Sequence, residues 1–231
     1  MPDPRTPFPA TRHSIIDRLR ESDDEARSVA FDTLTHAYWR PVRDYLRIQW
    51  HLSVEDAEDL TQSFFARALT NRVFERFDAQ KARFRTFLRV CVDRYAANAS
   101  RRDRPESDEL FDDQLAAEQG HSEADQVMRD AWLSWFFRRV TERLEAELTR
   151  DGRETHFALF KAYDLGRLVN ETPPTYAALA ERFSLPVTQV TNFLALARRE
   201  FRRLVLAELA ETTASDADYR QELHELLGGA P

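Results

Sequence analysis

Thr175-Tyr176-Ala177-Ala178-Leu179-Ala180-Glu181-Arg182-Phe183-Ser184-Leu185-Pro186-Val187-Thr188-Gln189-Val190-Thr191-Asn192 reads as two helical patterns meeting at a turn. Thr175 is placed to cap the first helix, and Tyr176, Leu179, Ala180 and Phe183 recur at helical spacing as its buried face. Ser184-Leu185 makes the turn. Pro186 suits the first turn of the next helix, where its missing N–H costs nothing, and Val187, Val190, Leu194, Ala197, Phe201 and Leu204 carry the apolar stripe onward. Thr188, Gln189, Thr191 and Asn192 are left outside at the start of that helix, with Arg198, Arg199, Arg202 and Arg203 further along. The pattern predicts a helix-turn-helix, with short polar side chains for base edges and cations for phosphates. A plain helical hairpin would show the same stripe, so that alternative stays open.

Composition agrees with a helical chain. Of 231 residues, 42% are hydrophobic and 32% charged, and only five are glycine, which favours helices over a sheet protein with many tight turns. The expectation is an all-α fold. No apolar run approaches a membrane span, and Met1 to Ala10 holds four prolines instead of a basic start and a greasy centre, so a cytoplasmic protein is expected. Cys91 is the single cysteine, and the six histidines have no ligand-like spacing, so neither a disulfide within the chain nor a metal or other cofactor is expected.

The net charge of −7 is unevenly spread. From Asp103 to Asp125 nine acids face one arginine, a balance of −8. From Arg67 to Arg102 ten bases face three acids, or +7, and from Arg182 to Arg203 five bases face one acid, or +4. Two basic helical regions therefore flank an acidic linker, a distribution compatible with nucleic acid despite the overall sign. The predicted layout is two small helical domains at residues 12–102 and 127–211, a linker at 103–126, and a tail at 212–231 whose short helix sets Tyr219, Leu223, Leu226 and Leu227 on one face.

In the first domain Ser53 can cap a helix that opens with Glu55, Asp56, Glu58 and Asp59, acids suited to the positive end of a helix dipole. Ala57, Leu60, Thr61, Phe64, Phe65, Ala68 and Leu69 form its apolar stripe, leaving the acids and Gln62 in water or facing a partner. Farther on, Phe84, Phe87, Leu88, Cys91, Val92 and Tyr95 make another stripe. Arg85 and Arg89 lie one turn apart outside it, and Arg94, Asn98, Arg101 and Arg102 form a further polar edge. A solvated basic face and a phosphate-binding face both fit that placement.

Three segments in this order resemble the extracytoplasmic-function group of the sigma-70 family, the promoter-recognition subunits of bacterial RNA polymerase. They are Asp56-Ala57-Glu58-Asp59-Leu60-Thr61-Gln62-Ser63-Phe64-Phe65, then Phe77-Asp78 through Phe84-Arg85-Thr86-Phe87-Leu88, and Tyr176 to Phe183 leading to Ala197-Arg198-Arg199. The resemblance covers about Phe31 to Arg102 and Phe157 to Leu209. It implies a sigma region 2-like bundle and a sigma region 4-like helix-turn-helix. Asp56, Glu58, Asp59 and Gln62 would dock on the β′ clamp of the polymerase core. Arg83, Arg85, Arg89, Arg94, Asn98 and Arg101 would engage the −10 element and the melted strand. Thr175, Thr188, Gln189, Thr191, Asn192, Arg198, Arg199 and Arg202 would serve the −35 element.

The chain departs from the family pattern at several points. The recognition helix carries Thr191, Asn192, Phe193, Ala195 and Leu196 where cations are usual, Ser184 stands where glycine is common, and Asp93-Arg94 where an arginine and an asparagine are frequent. Some branches of the family are paired with serine/threonine kinases instead of anti-sigma factors, which makes Thr61 and Ser63 candidates for phosphorylation in the polymerase-binding helix. No catalytic constellation is legible, so the expectation is a non-enzyme. The competing readings are a helix-turn-helix regulator acting without polymerase, and a sigma-like adaptor without promoter recognition.

Overall fold

A computed structural model of the chain describes residues 15–100, 122–166, 174–213 and 216–226. Among these residues every regular element is helical, in keeping with the all-α expectation. In chain order they are α1 (Ile15–Leu19), α2 (Asp24–Gln49), α3 (Val54–Thr70), a 3₁₀ turn (Val73–Arg76), α4 (Phe84–Ala99), α5 (Glu123–Arg150), α6 (Glu154–Phe160), a π turn (Lys161–Leu165), α7 (Tyr176–Phe183), α8 (Val187–Thr212) and α9 (Asp216–Leu226). None of them is long and apolar enough to cross a membrane.

The chain divides into two compact units. The first takes the described residues up to Trp135 together with those from Leu209 onward, and the second is Phe136–Glu208. The boundary thus falls inside α5, and the described residues of the tail group with the first unit, whereas the sequence places a break at the acidic stretch 103–126. A physical reason lies in the first turns of α5: Met128 and Trp132 are buried there as members of the first unit's core. Of the expected linker, 103–121 lies outside the described residues, and Glu123 to Gln126 are already helical.

Side-chain caps set the helix starts. Asp23 accepts from the Glu25 amide at 3.0 Å, Ser53 from that of Asp56 at 3.0 Å, and Thr175 from that of Ala178 at 3.1 Å. Each bond satisfies an amide that has no partner within its own helix.

The core of the first unit is aromatic. Phe64, Phe74 and Phe84 are buried; Phe74 meets Phe84 edge to face at 5.7 Å and Phe64 at a tilt at 6.5 Å, while Phe31 stacks on Phe74 at 5.5 Å and Trp39 on Phe65 at 5.6 Å. Such ring pairs add about 0.5–1.5 kcal/mol each beyond the area they bury. Leu69, expected on the inner stripe of α3, is 49% exposed because the stripe closes at Ala68 as the chain turns away at Asn71.

In the second unit Leu159, Leu179, Ala180, Val190 and Leu194 form the buried centre, with Tyr163, Tyr176, Phe183, Leu185 and Phe193 packed around it. A left-handed Gly152 ends α5, and the Arg153 amide reaches back to Leu148 O at 2.8 Å. Arg139 and Arg143 both reach the Glu208 carboxylate, whose side chain is wholly buried.

Candidate nucleic-acid interface

The two helices α7 and α8 form the expected turn. Ser184 ends α7 in a left-handed conformation, with φ of 53°, and the Leu185 amide bonds to Ala180 O at 2.9 Å. Pro186 then begins the next helix by accepting from the Gln189 and Val190 amides at 2.9 and 3.2 Å. Thr188, Gln189, Thr191 and Asn192 are all exposed at the start of α8. Val187, placed inward by the stripe, is 47% exposed instead, because it opens the helix ahead of the buried Val190. Thr191 donates to Val187 O at 3.0 Å, which leaves its hydroxyl oxygen outward as an acceptor.

The four arginines of α8 are not equivalent. Arg198 donates from Nε to both Asp164 oxygens, at 3.1 and 3.0 Å, and lies over the Tyr163 ring at 5.2 Å. Burial works against its charge, but hydrogen bonds with Asp164 and Tyr176 outweigh it and raise the pKa. Arg203 is paired with Glu200 at 2.9 Å and with Glu147. Among the described residues Arg199 meets the neighbouring Glu200 at 3.3 Å with its side chain 72% exposed, and Arg202 is exposed. The outward face of this helix therefore offers the polar quartet, then Arg199 and Arg202.

The arginines of α4 are placed quite differently. Arg85 and Arg89, expected on a solvated edge, are 6% and 5% exposed. Arg85 forms an ion pair with Glu222 of α9, and its guanidinium lies 4.3 Å from the centre of the Trp132 ring. Arg89 donates to Asp93 and to Asp125, both at 2.9 Å. Asp93 also accepts from Tyr45 Oη at 2.6 Å and Trp50 Nε1 at 3.0 Å, so the acid at that departure from the family pattern organises three donors. Arg83 pairs with Glu225. Arg94 and Asn98 are half-buried, and Arg101 lies outside the described residues.

On α3, Asp56, Asp59 and Gln62 are exposed. Glu58 is half-buried and accepts from Trp39 Nε1 at 3.0 Å and from Arg43 at 3.5 Å, so it is committed within its own unit. Thr61 is fully buried and donates to Ala57 O at 2.6 Å, a position no kinase reaches in the folded chain. Ser63 is exposed, its hydroxyl on Asp59 O at 2.6 Å.

The sequence reading missed the partners of α4. The tail helix was expected to set Tyr219, Leu223, Leu226 and Leu227 on one face. It buries Asp218, Tyr219 and Glu222, while Leu223 and Leu226 are only half-buried and Leu227 lies outside the described residues. The signal was present in the spacing of Asp218, Glu222 and Glu225, which sets three carboxylates along one helix face.

No family model, curated protein or solved structure matches the chain.

Proposed function

We propose that the protein is a bacterial transcription initiation factor of the extracytoplasmic-function sigma type, which binds RNA polymerase core and directs it to specific promoters. The observation that carries the reading is the helix-turn-helix whose second helix opens with exposed Thr188, Gln189, Thr191 and Asn192, followed by Arg199 and Arg202. Amide and hydroxyl side chains pair with base edges in a major groove, and the arginines meet the flanking phosphates. The exposed acids of α3 supply the second support. Asp56 and Asp59 form a compact negative face suited to a basic polymerase surface, where complementary charge speeds and orients docking.

One observation favours a second reading, the adaptor that binds polymerase without selecting promoters. Arg85 and Arg89 are turned inward onto carboxylates, so the face that would hold a melted strand is closed in this conformation. Core binding separates the family reading from a free-standing regulator. Wild-type protein and an Asp56→Arg/Asp59→Arg variant are titrated against purified bacterial core polymerase. Tight binding lost in the variant supports the proposal, and absence of any core binding by the wild type removes it.

A further inference from the structure

α9 is docked through Tyr219 and through carboxylates, with its leucines only half-buried. At 11 residues it is shorter than the length at which an isolated helix is stable in water, so its order depends on docking. The docked face nevertheless consists of Asp218, Tyr219 and Glu222, with Glu225 at its edge. Glu222 pairs with Arg85, and Glu225 lies between Arg83 and Arg129, the latter at 3.6 Å. A buried ion pair of this kind is weak support for stability, because desolvation of both charges offsets much of their attraction. Arg85 Nη1 is also buried without a hydrogen-bond partner. Beside it opens a cavity of about 310 Å³, lined by Arg83, Arg85 and Arg129 and by the acids Glu123, Asp125 and Glu225, of which Asp125 is already held by Arg89. Three guanidinium groups thus converge on Glu222 and Glu225 of the tail, with Asp218 buried on the same face, and one of those guanidiniums has bonding capacity left over.

We infer that α9 is a displaceable cover whose carboxylates occupy an anion-binding face made by Arg83, Arg85 and Arg129, and that the backbone of a single nucleic-acid strand takes their place. Charge complementarity selects the occupant: the groups now seated against the three guanidiniums are carboxyl oxygens spaced along one face, which phosphates of a strand reproduce and an apolar peptide does not. The inference rests on the promoter-binding reading above and adds a control to it: strand binding and tail docking exclude each other.

The test compares the full-length wild type with Glu222→Ala/Glu225→Ala and with Glu225→Gln, which leaves the buried Glu222 in place. Alanine keeps the helix propensity and adds no cation. Binding of a fluorescein-labelled single strand of mixed sequence is followed by anisotropy across a salt series, with circular dichroism confirming that each variant is folded. The double variant is expected to bind about tenfold tighter and to steepen the salt slope by about 2, as three freed cations contact phosphates at roughly 0.7 each. Glu225→Gln gives a smaller change in the same direction. In the wild type, hydrogen exchange of the backbone across 216–226 accelerates when the strand is bound. Unchanged strand affinity in both variants, or α9 amides that stay protected with the strand bound, overturns the cover. A promoter duplex run in parallel distinguishes the two failures: duplex binding that needs Arg199 and Arg202 leaves the functional reading standing, and no binding to either DNA takes both.

Discussion

Two arginine-bearing helices, α4 and α8, have the same sequence signature and opposite surroundings. In α4 two cations beside an apolar stripe meet carboxylates brought from far along the chain, Arg85 meeting Glu222 and Arg89 meeting Asp125, and Arg83, just ahead of the helix, meets Glu225. In α8 Arg199 and Arg202 stand in water, Arg199 with its side chain 72% exposed, while Arg198 and Arg203 are paired. The difference teaches that a basic edge read off a helix is a statement about direction and not about solvent. Whether an arginine is free depends on which acids the rest of the fold returns to it.

The sharpest way to break this comparison is to remove one cation from each helix. Arg85→Ala leaves Glu222 buried without its partner and strips the Trp132 ring of its cation, so urea unfolding should show a loss of about 3 kcal/mol. Arg199→Ala should stay within about 0.5 kcal/mol of the wild type, as exposed substitutions do. Equal losses would mean that the α4 pairs are not buried in solution.

Acidity offers a second handle on the same pair. Burial pushes the Glu222 carboxyl up to about 7, outweighing the attraction of Arg85 and Arg83, with Asp218 and Glu225 adding to the rise. Tyr38, also held neutral by burial, faces the same acids. Because the folded pKa lies above the unfolded one, this contribution is fully present below the ordinary glutamate value and is lost as pH rises through about 7. Between about pH 5 and pH 8 the wild type should therefore lose on the order of 2 kcal/mol relative to Glu222→Gln, measured by unfolding of both proteins at each pH. A difference between the two proteins that does not change with pH would place Glu222 in water.

On the α8 side the expected effects are on binding. Arg199→Ala/Arg202→Ala should reduce the salt slope for duplex DNA by about 2, near 0.9 for each phosphate contact, and weaken binding across sequences alike. Arg198→Ala should change the slope less, because Asp164 and Tyr163 already hold that guanidinium. The smallest effect is at the turn. Ser184 sits in the left-handed region, so Ser184→Gly should stabilise the chain by about 0.5 kcal/mol in a thermal melt, the relieved backbone strain exceeding the added freedom of the unfolded state.

Local pattern made much of this fold legible. Ser53 and Thr175 cap the helices they were expected to cap, and the stripes of α3, α4 and α7 face inward at Phe64, Phe84 and Leu179. Those readings rest on helical period and on the first turn, which the sequence carries within a few residues. Long-range pairing is a different matter. Arg85 and Glu222 lie 137 residues apart, and nothing local distinguishes a glutamate that will face an arginine from one that will face water. The tail helix forms with Tyr219 buried, but the burial of Asp218 and Glu222 alongside it was missed for the same reason. The acids of α3 divide in the same way: Glu58 is drawn in by Trp39 and Arg43, while Asp56 and Asp59 remain exposed.

The central claim is tested most directly by transcription. Purified protein is combined with bacterial core polymerase and a pool of genomic fragments, and the transcripts that depend on it are sequenced. The account predicts discrete start sites sharing an upstream motif, with fewer starts when Gln189 and Asn192 are replaced by alanine. Core polymerase that yields no protein-dependent start sites, or starts indifferent to those two side chains, would contradict it.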